Sequence, residues 1–464
     1  MKYDIIIIGS GPGGYVAAIR AAQLGLKTAI VEKSEIGGIC LNWGCIPTKA
    51  LLKSAQVFNY LTHSSDYGIE IEGDVKIDFK SIISRSRTVA EGMSRGVEFL
   101  LKKYKIDHIK GYGKVRPGKS VEVKDAEGNI SNFSAKYIII ATGARSRELP
   151  FLKQDGRRII GYREAMTLAE QPKSMIIVGS GAIGSEFAYF YNSIGTQVTL
   201  VELLPNIVPF EDEEVSKQLA RSFKKSKIKV KTASTLESVE LTDNGCKALI
   251  KTKKGEESIE ADIILSAVGI QTNIENVGLE ETGIETKKGK IEVNEFYKTS
   301  VEGYYAIGDI VPGPELAHLA SHEAIVCVEK IAAMSPEPID YGNIPACTYT
   351  NPEIASVGLT ESQAIEKDYK IKTGKFSFIA SGKASASGSR DGFVKVIIDA
   401  DNDLILGAHL IGENVTEMIS EIVVARKMNI KGRDILHSMH PHPTMSEAIM
   451  EAVANAYGEA IHIL

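Results

Sequence analysis

The sequence predicts an α/β protein with two Rossmann-like dinucleotide-binding domains followed by a C-terminal α+β domain. A short apolar strand, a Gly-x-Gly-x-x-Gly turn, a helix-like stretch and a second strand closed by glutamate occur twice. They appear as Gly9, Gly11, Gly14 and Glu32, and again as Gly179, Gly181, Gly184 and Glu202. Each glutamate follows its first glycine by 23 positions, and the two units are offset by 170. Beyond residue 338 the pattern changes to the alternation of antiparallel strands, notably at 393–398 and 404–411.

A chain of 464 residues exceeds what one hydrophobic core fills, so two to four domains are expected. Its 44% hydrophobic and 24% charged residues are those of an ordinary globular protein. A net charge of -5, with no basic stripe, gives no case for nucleic-acid binding. No apolar run approaches the roughly 18 residues a membrane span needs. The first apolar block runs into Gly-Ser-Gly rather than a cleavage region, and five cysteines make no secreted framework, so a cytoplasmic location is expected.

In chain order, Lys2–Ile8 reads as a buried strand that stops at Gly9-Ser10-Gly11-Pro12-Gly13-Gly14. Residues 15–24 read as a helix whose Ala17, Ala18, Ala21 and Ala22 let it approach a sheet closely, and 27–31 as the next strand. Such a turn sets a pyrophosphate at a helix N-terminus, and the closing glutamate accepts from a ribose hydroxyl. At Glu202 a carboxylate repels a 2′-phosphate, which favours NAD over NADP in the second unit. Residues 57–104 read as mostly helical, and 114–137 as short strands turning at Pro117-Gly118 and Glu127-Gly128. Residues 138–144 and 263–269 read as strands returning to a small-residue turn beside each cofactor. Leu149-Pro150 and the charged stretch 154–158 mark the entry into the second unit. Residues 304–309 form a strand ending in Gly-Asp, where Asp309 either caps a helix or holds a cofactor hydroxyl. Ser335-Pro336-Glu337-Pro338 reads as a linker, and 379–391, rich in Ser, Ala and Gly, as a loop.

Cys40 and Cys45 lie five positions apart inside a stretch running from Gly37 to Lys49. On a regular helix that spacing spans about 7.5 Å along the axis, whereas a disulfide needs Cα atoms within about 7 Å. If the two pair, the helix must bend or be wound differently, and Asn42 and Gly44 are residue types that permit it. A strained, accessible bridge is readily reduced. The alternative is a zinc half-site or two unrelated core thiols. Zinc would want a second pair at ligand spacing, and Cys246, Cys327 and Cys347 are scattered singly with no role to read from the sequence, so no metal site is expected. Near the C-terminus, His442 and Glu447 suggest a proton-transfer dyad. The same segment, Thr444-Met445-Ser446-Glu447, is equally a capping box that starts a helix.

The order of these motifs resembles the pyridine nucleotide-disulfide oxidoreductases over essentially the full length. The resemblance implies non-covalent FAD on Gly9, Gly11, Gly14 and Glu32, with Lys49, Gly113, Thr142, Gly143 and Ala144 nearby. Asp309 would hold its ribityl chain, and Leu316, Ala317 and His318 would lie along the flavin. NAD would sit on Gly179, Gly181, Gly184, Glu186, Glu202 and Gly269. Four segments follow: 1–148 for FAD, 149–272 for NAD, 273–342 completing the FAD site, and 343–464 for dimerisation.

The catalytic set implied by the resemblance is Cys40, Cys45, His442, Glu447, Lys49 and Glu186. His442, supported by Glu447, takes a proton from a dithiol substrate; Cys40 is the interchange thiol, and Cys45 faces the flavin. Lys49 and Glu186 form an ion pair at the flavin's reactive face, and His440 is structural. The branch of the family most resembled oxidises dihydrolipoyl groups with NAD. Its partners are a second copy of the chain, whose His-Glu segment completes each active site, and a lipoyl-bearing protein or free lipoamide. The acyltransferase core of a 2-oxo acid dehydrogenase complex, or a glycine cleavage system, would present the lipoyl arm. No lipoyl domain precedes Met1, so that arm is expected from another protein. Other NAD(P)H-dependent disulfide reductases fit less well: Glu202 has no basic neighbours for NADP, and the terminal Ala460-Ile461-His462-Ile463-Leu464 lacks a cysteine pair. A non-catalytic flavin-bound scaffold is the remaining alternative. Trp43, between the cysteines, is assigned to packing.

Overall fold

The computed structural model describes residues 2–463. Lys2–Ile8 is the centre of the first sheet because its apolar run can be buried on both faces; Ile5 to Ile8 are at most 3% exposed. It lies parallel between Thr28–Glu32 and Ile130–Ile140. The sheet has seven strands in all. Asp107–Lys110 forms one edge, Ser120–Lys124 and Tyr112–Arg116 form an antiparallel extension, and Tyr304–Ala306 adds parallel to Ile130–Ile140. The later chain thus returns to the first sheet and delivers the Gly-Asp turn beside its carboxyl ends.

The second unit repeats the plan. Ser174–Val178 lies between Gln197–Val201 and Ile263–Ser266 in a five-stranded parallel sheet, with a three-stranded antiparallel sheet over residues 235–261 beside it. The chain enters this unit through Ala144–Ser146 and leaves through Ile270–Thr272, and the two crossing segments pair antiparallel. The C-terminal sheet is wholly antiparallel, in the order Ala346–Thr348, Glu353–Gly358, Ile405–Gly412, Phe393–Asp399 and Ile371–Ser377. Helices Val415–Lys427 and Glu447–Ala456 pack their apolar residues against it. Among the described residues, no helix is long and apolar enough to cross a membrane.

The stretch 57–104 is mostly helical as expected, with residues 68–78 lying between the turn Ser64–Tyr67 and the helix Phe79–Lys103. One expectation needs correction. The stretch 379–391 is not simply a loop, because it contains the short helix Gly382–Ser387. Ser381 follows the turn Phe378–Ala380, and its hydroxyl accepts from Ala384 N at 3.2 Å, so an N-cap nucleates a turn in a small-residue sequence.

Candidate active site

The stretch between the two cysteines does break its helix. Gly38–Trp43 ends at Gly44, whose φ of -145° and ψ of -115° are not helical, and a second helix, Cys45–Thr62, starts at the next residue. Asn42 holds the first piece in place. Its Nδ2 donates to the carbonyls of Ile36 and Gly38 at 2.9 and 3.0 Å, while Ser94 donates to its Oδ1 at 2.9 Å. A Cβ at Gly38 would lie 2.6 Å from Gly11 Cα, so this helix starts against the first glycine turn. Trp43 is clamped between the guanidinium groups of Arg87 and Arg163, 4.1 and 5.1 Å from the ring centre, and Arg87 also donates to Asn42 O at 2.6 Å.

Across the break Cys40 and Cys45, both free thiols in this structure, hydrogen-bond to each other. The pair is asymmetric. Cys45 is drawn down to about 7, first by the hydrogen bond from Cys40 and also by the charge of Lys49, against burial and the charge of Glu186. Cys40 is pushed far up, because it is the donor and is itself buried. Cys45 also opens a helix, where unpaired N–H groups favour a thiolate. Burial raises Cys246, Cys327 and Cys347 instead, the last to about 12, as fits thiols in packing positions.

Lys49 lies one turn beyond Cys45, and its Nζ is 2.9 Å from both oxygens of Glu186. Glu186 reaches it because Ala182–Ser193 packs against Cys45–Thr62 through Phe187, Phe190, Leu51 and Leu52. A third segment joins them. Tyr349 N donates to Glu186 at 2.9 Å, and its ring lies 4.2 Å from Lys49 Nζ. Nothing in the sequence distinguishes Tyr349 from any aromatic before a polar turn.

The two glycine turns are near-copies. A Cβ at Gly9 would lie 2.2 Å from Ala141 O, and one at Gly179 would lie 2.3 Å from Ala267 O; at Gly14 and Gly184 it would meet the first glycine's carbonyl at 1.9 Å. At Gly11 and Gly181 it would meet nothing within 4 Å, leaving the backbone open to a ligand. Glu32 accepts from Ser10 N and Oγ at 2.9 and 2.6 Å and from Ser34 N at 2.9 Å. Glu202 accepts from Ser180 N and Oγ at 2.9 and 2.7 Å and from Leu204 N at 2.8 Å. A carboxylate has room for further donors, so both fit a ribose. Ser10 and Ser180 were visible in the sequence as the same residue at the same place in both copies.

The remaining expected residues gather less uniformly. Gly113 sits behind the strand ends, facing Ile8 and Val31, and Gly143 and Gly269 have φ of +65° and +106°. Thr142 spends its hydroxyl on Asn273 O at 2.7 Å, and Ala144 is buried in the crossing strand. Leu316 precedes helix Ala317–Ile331, and His318 Nε2 is 2.9 Å from Pro345 O. Asp309 has a carboxyl without a hydrogen bond among the described residues, and burial pushes it up to about 6, which suits a site that receives hydroxyl donors. These open turns and unpaired acceptors fit the two dinucleotides.

At the C-terminus Glu447 bonds two neighbours: its Oε1 is 2.9 Å from His442 Nδ1, and its Oε2 accepts from Thr444 N at 2.7 Å. The capping-box expectation needs correction, because the helix Glu447–Ala456 starts at Glu447 itself with Ser446 as its N-cap and no side-chain cap bond. Thr444 supplies no reciprocal cap, since its hydroxyl donates to Pro441 O at 2.8 Å. The His442 side chain is 79% exposed, leaving its outer nitrogen facing outward, whereas His440 is buried with Nε2 2.9 Å from Glu421. Among the described residues of one chain, the dyad hydrogen-bonds neither cysteine.

The family described as pyridine nucleotide-disulphide oxidoreductase matches residues 3–324, and its dimerisation domain matches residues 344–453. The chain belongs to this family. It is therefore an oxidoreductase that uses FAD and NAD(H), and it carries the family's dimerisation domain. Curated relatives include a dihydrolipoyl dehydrogenase of Rhizobium etli, 48% identical over 99% of both chains. Those of Zymomonas mobilis and Bacillus subtilis are 46% and 44% identical, again over 99% of both chains. The crystal structure of LpdA from Mycobacterium tuberculosis superposes with a TM-score of 0.91 at 27% identity, covering 98% of this chain and 99% of that one.

Proposed function

We propose that this chain is a dihydrolipoyl dehydrogenase, oxidising dihydrolipoyl groups to lipoyl groups and reducing NAD+. The observation that carries the reading is the asymmetric thiol pair across the broken helix. In the oxidised pair, a lipoyl thiolate attacks Cys40 Sγ; the Cys40–Cys45 bond breaks, a mixed disulfide forms at Cys40, and Cys45 leaves as thiolate. This direction follows from leaving-group strength, because Cys45 titrates at about 7 and Cys40 far higher. The second lipoyl sulfur then displaces Cys40 and closes the lipoyl ring.

Glu447 holds the His442 Nδ1 side, so Nε2 is the atom that takes the substrate's proton and returns one to Cys40. The chain carries the family's dimerisation domain at 344–453, which includes the dyad, and this supports the reading that the dyad serves the thiol pair of the partner in a homodimer. Gly9, Gly11, Gly14, Glu32 and Asp309 would hold FAD, which when bound would supply the two-electron acceptor for the thiol pair and the hydride donor for NAD+. NAD takes the second turn, with Gly179, Gly181, Gly184 and Glu202, and Lys49 and Glu186 set the charge beside Cys45. The chain divides at 1–148, 149–272, 273–342 and 343–464; the paired crossings at Ala144–Ser146 and Ile270–Thr272 support the bounds of the second segment, and the dimerisation-domain match from residue 344 supports the start of the last. The lipoyl arm comes from an acyltransferase core or as free lipoamide, in the cytoplasm.

The test is steady-state NADH formation by the FAD-loaded protein, with dihydrolipoamide set against reduced glutathione at matched thiol concentration. The reading expects turnover with the first and less than a hundredth of it with the second. Equal rates, or turnover only with glutathione, would overturn it.

A further inference from the structure

Glu323 is 1% exposed in the middle of helix Ala317–Ile331, and nothing in the chemistry above uses it. Each of its carboxylate oxygens nonetheless accepts a hydrogen bond. Oε2 accepts from Gly308 N at 2.6 Å, and Oε1 accepts from Tyr341 OH at 2.8 Å, with Tyr297 OH a further 3.2 Å from Tyr341 OH. Gly308 opens the turn Gly308–Ile310, in which the next residue is Asp309. Gly308 has a φ of +79°, and among the described residues Glu323 is the only acceptor for its N–H. The helix carrying Glu323 is itself fixed against the first glycine turn. A Cβ at Gly13 would lie 3.3 Å from Ala320 O, and Arg20 Nε donates to Glu329 at 3.0 Å.

We infer that Glu323 is a positioning residue for the flavin site, holding the Gly308 amide so that Asp309 is presented to the FAD polyol, with Tyr341 holding Glu323. The inference rests on the assignment of Asp309 to FAD given above. Its energetic sense is that a second buried carboxylate beside Asp309 is costly unless its hydrogen bonds do something. Both carboxyls are pushed up by burial, Asp309 to about 6 and Glu323 to about 7. Charge-assisted bonds to a backbone amide and a phenol offset that cost, and what they fix in place is the turn.

The test is the rate at which the FAD-loaded protein releases FAD on dilution, followed by the rise of free-flavin fluorescence. It is run for the parent, Glu323→Leu, Glu323→Gln, Asp309→Asn and the double variant Asp309→Asn with Glu323→Leu. Release is expected to quicken roughly tenfold in Glu323→Leu and in Asp309→Asn, and no further in the double variant, because Glu323 acts through Asp309. Glu323→Gln keeps a carbonyl for Gly308 N and should stay within about threefold of the parent. Should Glu323→Leu not fold, Tyr341→Phe removes only the hydroxyl that holds Glu323 and is expected to quicken release about threefold. Unchanged release in Glu323→Leu and Tyr341→Phe, or effects of Glu323→Leu and Asp309→Asn that multiply, would overturn the inference and leave the role of Asp309 standing. Unchanged release in Asp309→Asn would overturn both.

Discussion

Cys45 owes its acidity to three neighbours of different origin: a donor five residues back, a lysine four residues on, and the free end of its own helix. In the dithiol form, ultraviolet thiolate absorbance should therefore rise with a midpoint near pH 7 and vanish in Cys45→Ser. Below the midpoint the thiol is protonated, so the thiolate is lost as pH falls. Lys49→Gln should move the midpoint up and Glu186→Gln should move it down, each by about one unit, because the first removes a cation and the second an anion from beside the thiolate. A midpoint that ignored both changes would show that the ion pair does not act on the thiol. The approach of Cys40 to Cys45, the His442–Glu447 contact and both glycine turns were legible because each is a spacing between neighbours along the chain. Tyr349, Asn273 and Glu323 were not, since each meets its partner only after segments far apart in sequence have packed together.

At the scale of an element, the two cysteines are brought together because the short helix Gly38–Trp43 and the longer helix Cys45–Thr62 meet at a non-helical glycine, with Asn42 as the brace. Asn42→Ala strips the carbonyls of Ile36 and Gly38 of a donor in a buried place and should cost about 1–3 kcal/mol in unfolding free energy, read from denaturant midpoints. A loss below the resolution of those midpoints would remove the brace from the account. The nucleotide turns are stricter. Gly14→Ala would push a methyl into Gly9 O, and the variant should be isolated without flavin absorbance. The helix break was legible, because five-residue spacing on a continuous helix could not bring the two sulfurs together. The Gly382–Ser387 helix was not, because Ser, Ala and Gly suit a loop until Ser381 supplies a cap. At Glu447 the sequence posed a choice between dyad and cap; one carboxylate oxygen meets His442 and the other Thr444 N, while the helix takes Ser446 as its N-cap.

Across the whole molecule, the two nucleotide units and the C-terminal sheet are joined by a few buried polar contacts as well as by the ion pair of Lys49 and Glu186. Glu211, just before helix Glu213–Lys225, is bonded to Ser356 of the C-terminal sheet, keeps its other oxygen buried without a partner, and is pushed up to about 7 by burial. Its folded value lies above the unfolded one, so its contribution to stability declines as pH rises from about 4.5 to about 7 and stays low above that. Glu211→Gln should remove that decline, making the variant more stable than the parent by about 1–3 kcal/mol at pH 8 and no more stable at pH 4. Equal pH profiles for the two proteins would contradict this. The division into two similar nucleotide units was legible from the 170-residue offset, while the return of Tyr304–Ala306 to the first sheet was legible only as a strand without an address. The most direct measurement for the whole account is anaerobic stopped-flow absorbance of the FAD-loaded dimer mixed with dihydrolipoamide, beside Cys45→Ser and His442→Gln. The account predicts a long-wavelength band that forms rapidly, is cleared by NAD+, is absent in Cys45→Ser and forms about 10²–10⁴-fold more slowly in His442→Gln. An intact, flavin-loaded protein that forms no such band would contradict it.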